Sequence, residues 1–230
     1  GKAVIGGMAK GSGMIHPNMC TMLSYVTTDA AIEKALLQKA LSEIVQETFN
    51  MISVDGDTST NDTLLVLANG LAGNDVIRDE DSDDYRAFYE ALRAVCRELA
   101  MKMAGDGEGC TKLIETRVIH ADTLANARIL AKSVITSSLT KAAVYGHDAN
   151  WGRILCALGY SGAEFDPDHV DLYFSDGSKK LLIFTNGAAA DYSEEEATEI
   201  LKKEKVQIIS DMHMGEAEAV AWGCDLTHDY

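Results

Sequence analysis

The sequence predicts a layered α/β (α+β) fold, formed as one continuous unit, on three observations. Helix-period and strand-period segments alternate along all 230 residues, no composition break or internal repeat divides them, and 47% of the residues are hydrophobic, enough for a sizeable core. At roughly 150 residues per domain the length allows one large or two small domains, and the absence of a break favours one.

Taken in order, the first twenty residues are rich in Gly and Met (Gly6-Gly7-Met8, Gly11-Ser12-Gly13-Met14), which suits a site loop whose backbone tolerates no Cβ. Asp29 is placed to cap a helix from about Ala30 to Phe49, with Ile32, Ala35, Leu36, Ala40, Leu41, Ile44, Val45 and Phe49 at helical spacing. Thr63–Ala68 reads as a buried strand ending at Asn69-Gly70. A second helix is predicted from Ser82 to Met103, with Asp83 and Asp84 favouring its positive end and Tyr85, Phe88, Leu92 and Val95 as its stripe. Lys112–Ala121 alternates as a strand. Asp122 then opens a third helix through about Leu139, and Ala143-Val144-Tyr145 reads as a short strand. A fourth helix spans Asn150 to Gly159, strands follow around 170–174, 180–185, 206–212 and 217–222, and a last helix runs from Ser193 to about Lys203.

Charge narrows the function classes. With 36 acidic against 20 basic residues the net charge is −16, so a nucleic-acid backbone or an anionic membrane would be repelled. No run of about 18 apolar residues marks a bilayer span, and the start lacks a signal peptide's apolar stretch. The first residue is not Met, so the chain is expected to begin inside a longer reading frame or after processing. Five scattered cysteines without a CxxC pair point to free thiols in a reducing compartment.

Familiar motifs fail on their spacing. Lys10-Gly11-Ser12 reverses the Gly-Lys-Ser order of a phosphate loop. The run beginning Asp55-Gly56-Asp57 has Thr60 and Val66 where a calcium loop needs Gly and a bidentate Glu. The acidic run Asp79-Glu80-Asp81 with Asp83-Asp84 reads as a solvated helix entrance. The six histidines lack metal-ligand spacing, so no metal is expected.

Three segments look like more than packing. Lys10 to Leu23 joins a Gly-rich approach to Pro17 and to Asn18-Met19-Cys20-Thr21, as a scissile bond beside a nucleophile requires. Asp106-Gly107-Glu108-Gly109-Cys110-Thr111-Lys112 sets a carboxylate between two glycines, where backbone can approach a ligand. Gly146-His147-Asp148-Ala149-Asn150-Trp151-Gly152-Arg153 gathers an Asp, an Asn and an Arg about an aromatic. Turns with special backbone angles use the same residue types without chemistry.

Together with Thr27-Thr28-Asp29-Ala30, Ser53 to Asp62, Ala131-Lys132-Ser133 and Ala221-Trp222-Gly223-Cys224-Asp225-Leu226-Thr227, these segments resemble the ornithine acetyltransferase (glutamate N-acetyltransferase) family over nearly the whole chain. The resemblance implies that family's fold, with a self-processing threonine nucleophile. It implies a precursor that cuts itself between Cys20 and Thr21. Residues 1–20 would then be the end of an α chain and residues 21–230 a β chain that stops short of the family's C-terminus. Thr21 would attack the acetyl carbon of N-acetylornithine, release ornithine, and pass the acetyl group to glutamate. Its hydroxyl is a weak nucleophile that the freed α-amino group, of ordinary pKa about 7.7–8.0, can activate.

By the same resemblance Lys10 and Glu108 contact substrate, no cofactor is needed, and acetyl-CoA enters only as a second donor in bifunctional members. The oxyanion hole and further substrate contacts would lie outside the chain. Partners implied are the rest of α, within an α2β2 or larger assembly. The expected location is the cytoplasm, or the mitochondrial matrix for a fungal source. Cys20 departs from the family's usual alanine: it is either a tolerated small residue, as Cys110 is at another alanine position, or itself the nucleophile, which would shift the cut by one residue. Thr21 keeps the family's register, with Lys10 eleven positions upstream. Two other functions stay open at this level: a self-processing aminopeptidase of related fold, against which Asp106-Gly107-Glu108-Gly109 and the Trp222–Thr227 ending speak, and an inert fragment that only binds a partner chain.

Overall fold

The structure is a computed structural model and describes residues 2–17 and 22–230. Its elements are β1 (Ile5–Lys10), β2 (Leu23–Thr28), α1 (Lys34–Ile44), β3 (Ile52–Ser53), β4 (Thr63–Ala68), α2 (Asp83–Gly105), β5 (Leu113–Ala121), α3 (Leu124–Thr136), α4 (Ser138–Tyr145), α5 (Trp151–Gly159), β6 (Asp171–Ser175), β7 (Lys180–Thr185), β8 (Ala188–Ala189), α6 (Glu194–Leu201), β9 (Lys205–Asp211) and β10 (Ala217–Cys224). The α/β class expected from the sequence is the class observed.

Two sheets organise these elements. The smaller has three strands in the order β1-β2-β4, with β1 antiparallel and β4 parallel to β2. Strand alternation gives it two faces. Ser24, Val26, Thr28 and Leu64 are buried on one, against α2; a Cβ on Gly7 would come 2.9 Å from Leu99 Cδ1. On the other, Met8, Tyr25 and Leu65 form one row across the sheet. They and Leu67 are 40–70% exposed.

The larger sheet has seven strands in the order β3-β10-β5-β9-β6-β7-β8. Parallel β5 and β9 lie at its centre, and α3 packs across β5 and β10. Ile114, Val118, Phe174, Ile208, Ala221 and Trp222 are at most 2% exposed. Each large apolar side chain so buried stabilises the fold by about 1.5–3 kcal/mol. Polar side chains end the helices as capping predicts: Ser82, Thr123, Ser137, Asn150 and Ser193 each accept a first-turn backbone N–H. Among the described residues, no helix is long and apolar enough to cross a membrane.

Four sequence expectations are corrected. The first helix begins at Lys34, not Ala30, because tertiary pairing takes its first backbone groups. Asp29 accepts from Val4 N (2.7 Å) rather than capping, Ala31 N donates to Asn74 Oδ1 (2.9 Å), and Ile77 N donates to Ala31 O (3.0 Å). The same helix stops at Ile44 and gives way to two 3₁₀ turns. Ala143–Tyr145 is helical, not a strand: Ser137, at ψ 107°, ends α3 and caps α4. The Gly-rich start contains strand β1, and β2 had no counterpart among the predicted elements; both are short, and β1 is too poor in apolar residues to show a period.

Candidate functional site

The site is assembled where the end of β1, the start of β2 and three connecting segments meet. Lys10 ends β1 and pairs across the ladder with Leu23, two residues after Thr21. Its side chain lies on the exposed face with Met8 and Tyr25. Cys20 and Thr21 fall outside the described residues, so the site is defined by what holds the backbone on either side of them.

Upstream, the loop Gly11–Pro17 is fastened at nearly every residue. Ser12 O accepts Glu108 N (2.9 Å), and Val54 N donates to Ile15 O (2.7 Å). The Asp55 carboxylate accepts the N–H groups of Met14 (2.5 Å) and Ile15 (3.1 Å). It also accepts the phenol of Tyr230 (2.8 Å). Thr58 Oγ1 donates to His16 O (2.9 Å). The ammonium of Lys132, on α3, donates to Pro17 O (3.2 Å) and to Asn50 O (2.8 Å). Downstream, Met22 N donates to the Asp62 carboxylate. The described backbone immediately before and after Asn18–Thr21 is thus tied to a cation at one end and an anion at the other.

The electrostatics follow from burial. Desolvation lowers the Lys132 ammonium from its ordinary value to about 8. Burial, and then the Lys132 charge, lowers His16 to about 4, leaving its imidazole neutral at pH 7. Its Nδ1 lies 3.1 Å from Ser53 Oγ. The Tyr230 phenol is pushed up to about 12 by burial and by its bond to the Asp55 carboxylate.

Glu108 follows α2 in the turn the sequence singled out. Its Oε2 sits 3.0 Å from where a Cβ on Gly13 would stand, so a side chain at that position would have to displace the carboxylate. Gly109 takes φ 66°, a conformation costly for residues with a Cβ. The chain end clasps this turn: Thr227 Oγ1 donates to Gly109 O (2.6 Å). Buried Asp225 accepts from Thr111 N (2.8 Å) and Lys112 N (2.9 Å).

Sequence reasoning therefore placed Lys10 and Glu108 in segments that the fold does bring together around Gly11–Pro17. It missed Asp55, Asp62 and Lys132 as the groups holding the loop. Asp55-Gly56-Asp57 fails as a calcium loop and lies in the Ser53–Asp62 motif with no role assigned, although Asp57 N donating back to Asp55 Oδ1 (3.0 Å) is a turn that aspartate favours. Lys132 carried a signal too, a cation set among the buried Leu130, Ala131, Val134 and Ile135 of α3. The third segment turns to local work. Asn150 caps α5 (3.1 Å), Arg153 Nη1 donates to Leu139 O (2.9 Å), and Trp151 stacks on Phe184 with centroids 4.9 Å apart.

The histidines without sequence spacing include two that the fold unites. His120 and His213 both face Asp211, at the ends of β5 and β9.

Comparison with known proteins identifies the family. The ArgJ family matches residues 1–230. The chain belongs to that family. An arginine biosynthesis bifunctional protein ArgJ from Symbiobacterium thermophilum is 58% identical over 226 residues, covering 98% of this chain and 55% of the relative. The protein of the same name from Geobacillus stearothermophilus is 52% identical over 231 residues, covering 100% and 55%. A crystal structure of arginine biosynthesis bifunctional protein argJ from Bacillus halodurans superposes with a TM-score of 0.87 at 48% identity, covering 91% of this chain and 97% of that one. The resemblance read from the motifs is borne out at the level of family, and the fold matches an ArgJ structure. The chain spans about half the length of the curated ArgJ relatives it matches.

Proposed function

We propose that the chain is the nucleophile-bearing part of a longer self-cleaving acyltransferase that moves the acetyl group of N2-acetyl-L-ornithine to L-glutamate. The observation that carries this reading is the hold on the described backbone on either side of Asn18–Thr21: Lys132 on the Pro17 carbonyl, Asp62 on the Met22 amide. Holding the described flanks limits the positions from which a neighbouring hydroxyl could attack a bond between them.

Thr21 Oγ adds to the Cys20 carbonyl carbon, the amide C–N bond breaks, and the Thr21 nitrogen leaves as an amine. Water hydrolyses the resulting ester, giving a Cys20 carboxylate and a free Thr21 hydroxyl beside its own α-amine. In turnover Thr21 Oγ attacks the acetyl carbon and ornithine departs with the proton on its amine. The glutamate amine then attacks the acetyl-threonine ester and restores the hydroxyl. Lys10 supplies a cation for a substrate carboxylate and Glu108 an anion for its amino group. No cofactor enters.

Two further observations support the reading. The crystallised relative's chain is covered at 97% while whole curated relatives are covered at 55%, as expected if relatives are cut near the middle. The open face bearing Met8, Tyr25, Leu65 and Leu67 adjoins Lys10, and the remainder of the longer protein is the occupant it awaits. That pairing precedes an α2β2 or larger assembly, which we place in the cytoplasm. The relatives' name, bifunctional, favours acetyl-CoA as a second acetyl donor.

Intact mass of the denatured full-length product tests the reading. Two chains in the wild type, the second starting at Thr21, and one in Thr21→Ala are expected. A second chain starting at Cys20 would move the nucleophile to the cysteine, and an uncut wild type that still transfers acetyl groups would remove self-cleavage from the mechanism.

A further inference from the structure

Away from Lys10 and Glu108, the ends of β5, β9 and β6 bring together side chains distant in sequence. Register sets Ile119 of β5 and Asp171 of β6 beside Asp211 of β9. His120 Nδ1 lies 2.8 Å from Asp211 Oδ1, and His213 Nδ1 lies 3.4 Å from the same oxygen. The three donor atoms all fall within 4.8 Å of one another. A tetrahedral zinc ion with bonds of about 2.0–2.1 Å holds its donors about 3.3 Å apart, so the cluster is near the required size.

The outer face of His213 strengthens the case. Its Nε2 is 2.9 Å from Asp171 Oδ2. A carboxylate only accepts, so Nε2 carries a proton toward Asp171, and Nδ1 is the ring nitrogen turned toward the Asp211 oxygen. Carboxylate behind imidazole in front of a metal is how ligating histidines are oriented.

The backbone is committed to the same arrangement. His120 and His213 both adopt left-handed conformations, φ 55° and 51°, which cost residues with a Cβ about 1–2 kcal/mol each. The turn after β9 is fastened to the end of β5 by three bonds: Met212 N to Ile119 O (3.0 Å), Met214 N to His120 O (2.7 Å) and Gly215 N to His120 O (2.9 Å). His213 N also donates to Asp211 Oδ1 (3.2 Å). Asp211 is buried, whereas the two imidazoles are about half exposed, so an ion can enter and keep one open position.

We propose that His120, Asp211 and His213 bind a divalent transition-metal ion of the zinc class, with Asp171 orienting His213. Two imidazoles and a carboxylate suit zinc, cobalt or nickel, and disfavour magnesium and calcium, which take all-oxygen sets. The expectation of no metal rested on ligand spacing along the chain. That spacing is blind to a site closed across strands, where His120 and Asp211 are 91 residues apart.

The test is titration of the chelator-treated chain with Zn2+ alone by calorimetry, and with Co2+ followed by its visible absorption. One ion per chain is expected. His120→Asn and His213→Asn should each weaken binding about 100-fold or more, since each removes one of three ligands; asparagine tolerates the left-handed backbone, so the fold survives. Asp171→Asn should cost about 10–100-fold. His169→Ala, removing an exposed histidine paired with Asp166, should change nothing. Absence of stoichiometric binding would overturn the proposal, as would binding that persists unchanged in both His120→Asn and His213→Asn.

Discussion

Strands β5 and β4 both carry apolar side chains that the sequence marks as strand, yet they meet different surroundings. In β5, Ile114, Val118 and Ala121 are at most 1% exposed, with α3 packed across the strand. In β4, Leu64 is buried but Leu65 and Leu67 remain 44% and 57% exposed. The sequence of β4 reads as a strand buried on both faces, and this chain covers only one. The difference teaches that apolar content alone does not say how many faces of a strand are covered: α3 covers β5, whereas one face of the three-stranded sheet, which carries Lys10, stays open among the described residues. That agrees with a chain covering 55% of its curated relatives.

The comparison can be broken at several points. The largest effect should come from Ile114→Ala. A fully buried side chain in the seven-stranded sheet should cost about 2–5 kcal/mol, read as a lower denaturant midpoint. A loss below 1 kcal/mol would mean that the large sheet is not the rigid half. Asp55→Ala removes the acceptor for Met14, Ile15 and Tyr230. It should cost about 1–3 kcal/mol and speed amide exchange over residues 12–17 selectively. Uniform exchange changes would deny the loop its own anchor.

His16 supplies a pH signature. Its folded value of about 4 lies below its ordinary 6.5, so between those values the unfolded chain binds a proton that the folded chain does not. Stability from this group is complete above pH 6.5, is lost as pH falls toward 4, and changes no further below. His16→Gln should flatten the melting temperature's decline in that window, and an unchanged slope would contradict the burial of the ring. Smallest of all is Leu67→Ala, expected to shift the isolated chain by less than about 0.5 kcal/mol. In the full-length protein the same substitution should cost about 2 kcal/mol or more. Equal small effects in both would leave the open face without its proposed occupant.

Much of this was legible in the sequence for identifiable reasons. The long helix α2 announced itself through Ser82 and the stripe Tyr85, Phe88 and Leu92, and β5 through Leu113, Ile114, Val118 and Ile119 within nine residues. Lys10 and Glu108 were marked by their glycine-flanked segments. The failures share a cause. Ala30–Glu33 has helical spacing, yet its backbone groups pair with Asn74 and Ile77, and local periodicity contains no information about that competitor. Asp55, Asp62 and Lys132 act on backbone atoms 40, 40 and 115 residues away, so no spacing rule connects them to the loop they hold.

The sequence by itself determined the fold class, most helix boundaries, the family and the segments rich in chemistry, because these are written in periodicity, capping residues and contiguous motifs. Only the tertiary structure decided which face of β4 is open, which carboxylates and ammonium grip the backbone flanking Thr21, and that His120, Asp211 and His213 converge. Those facts arise from strand register and long-range backbone pairing, which depend on residues far apart in the chain settling into one packing.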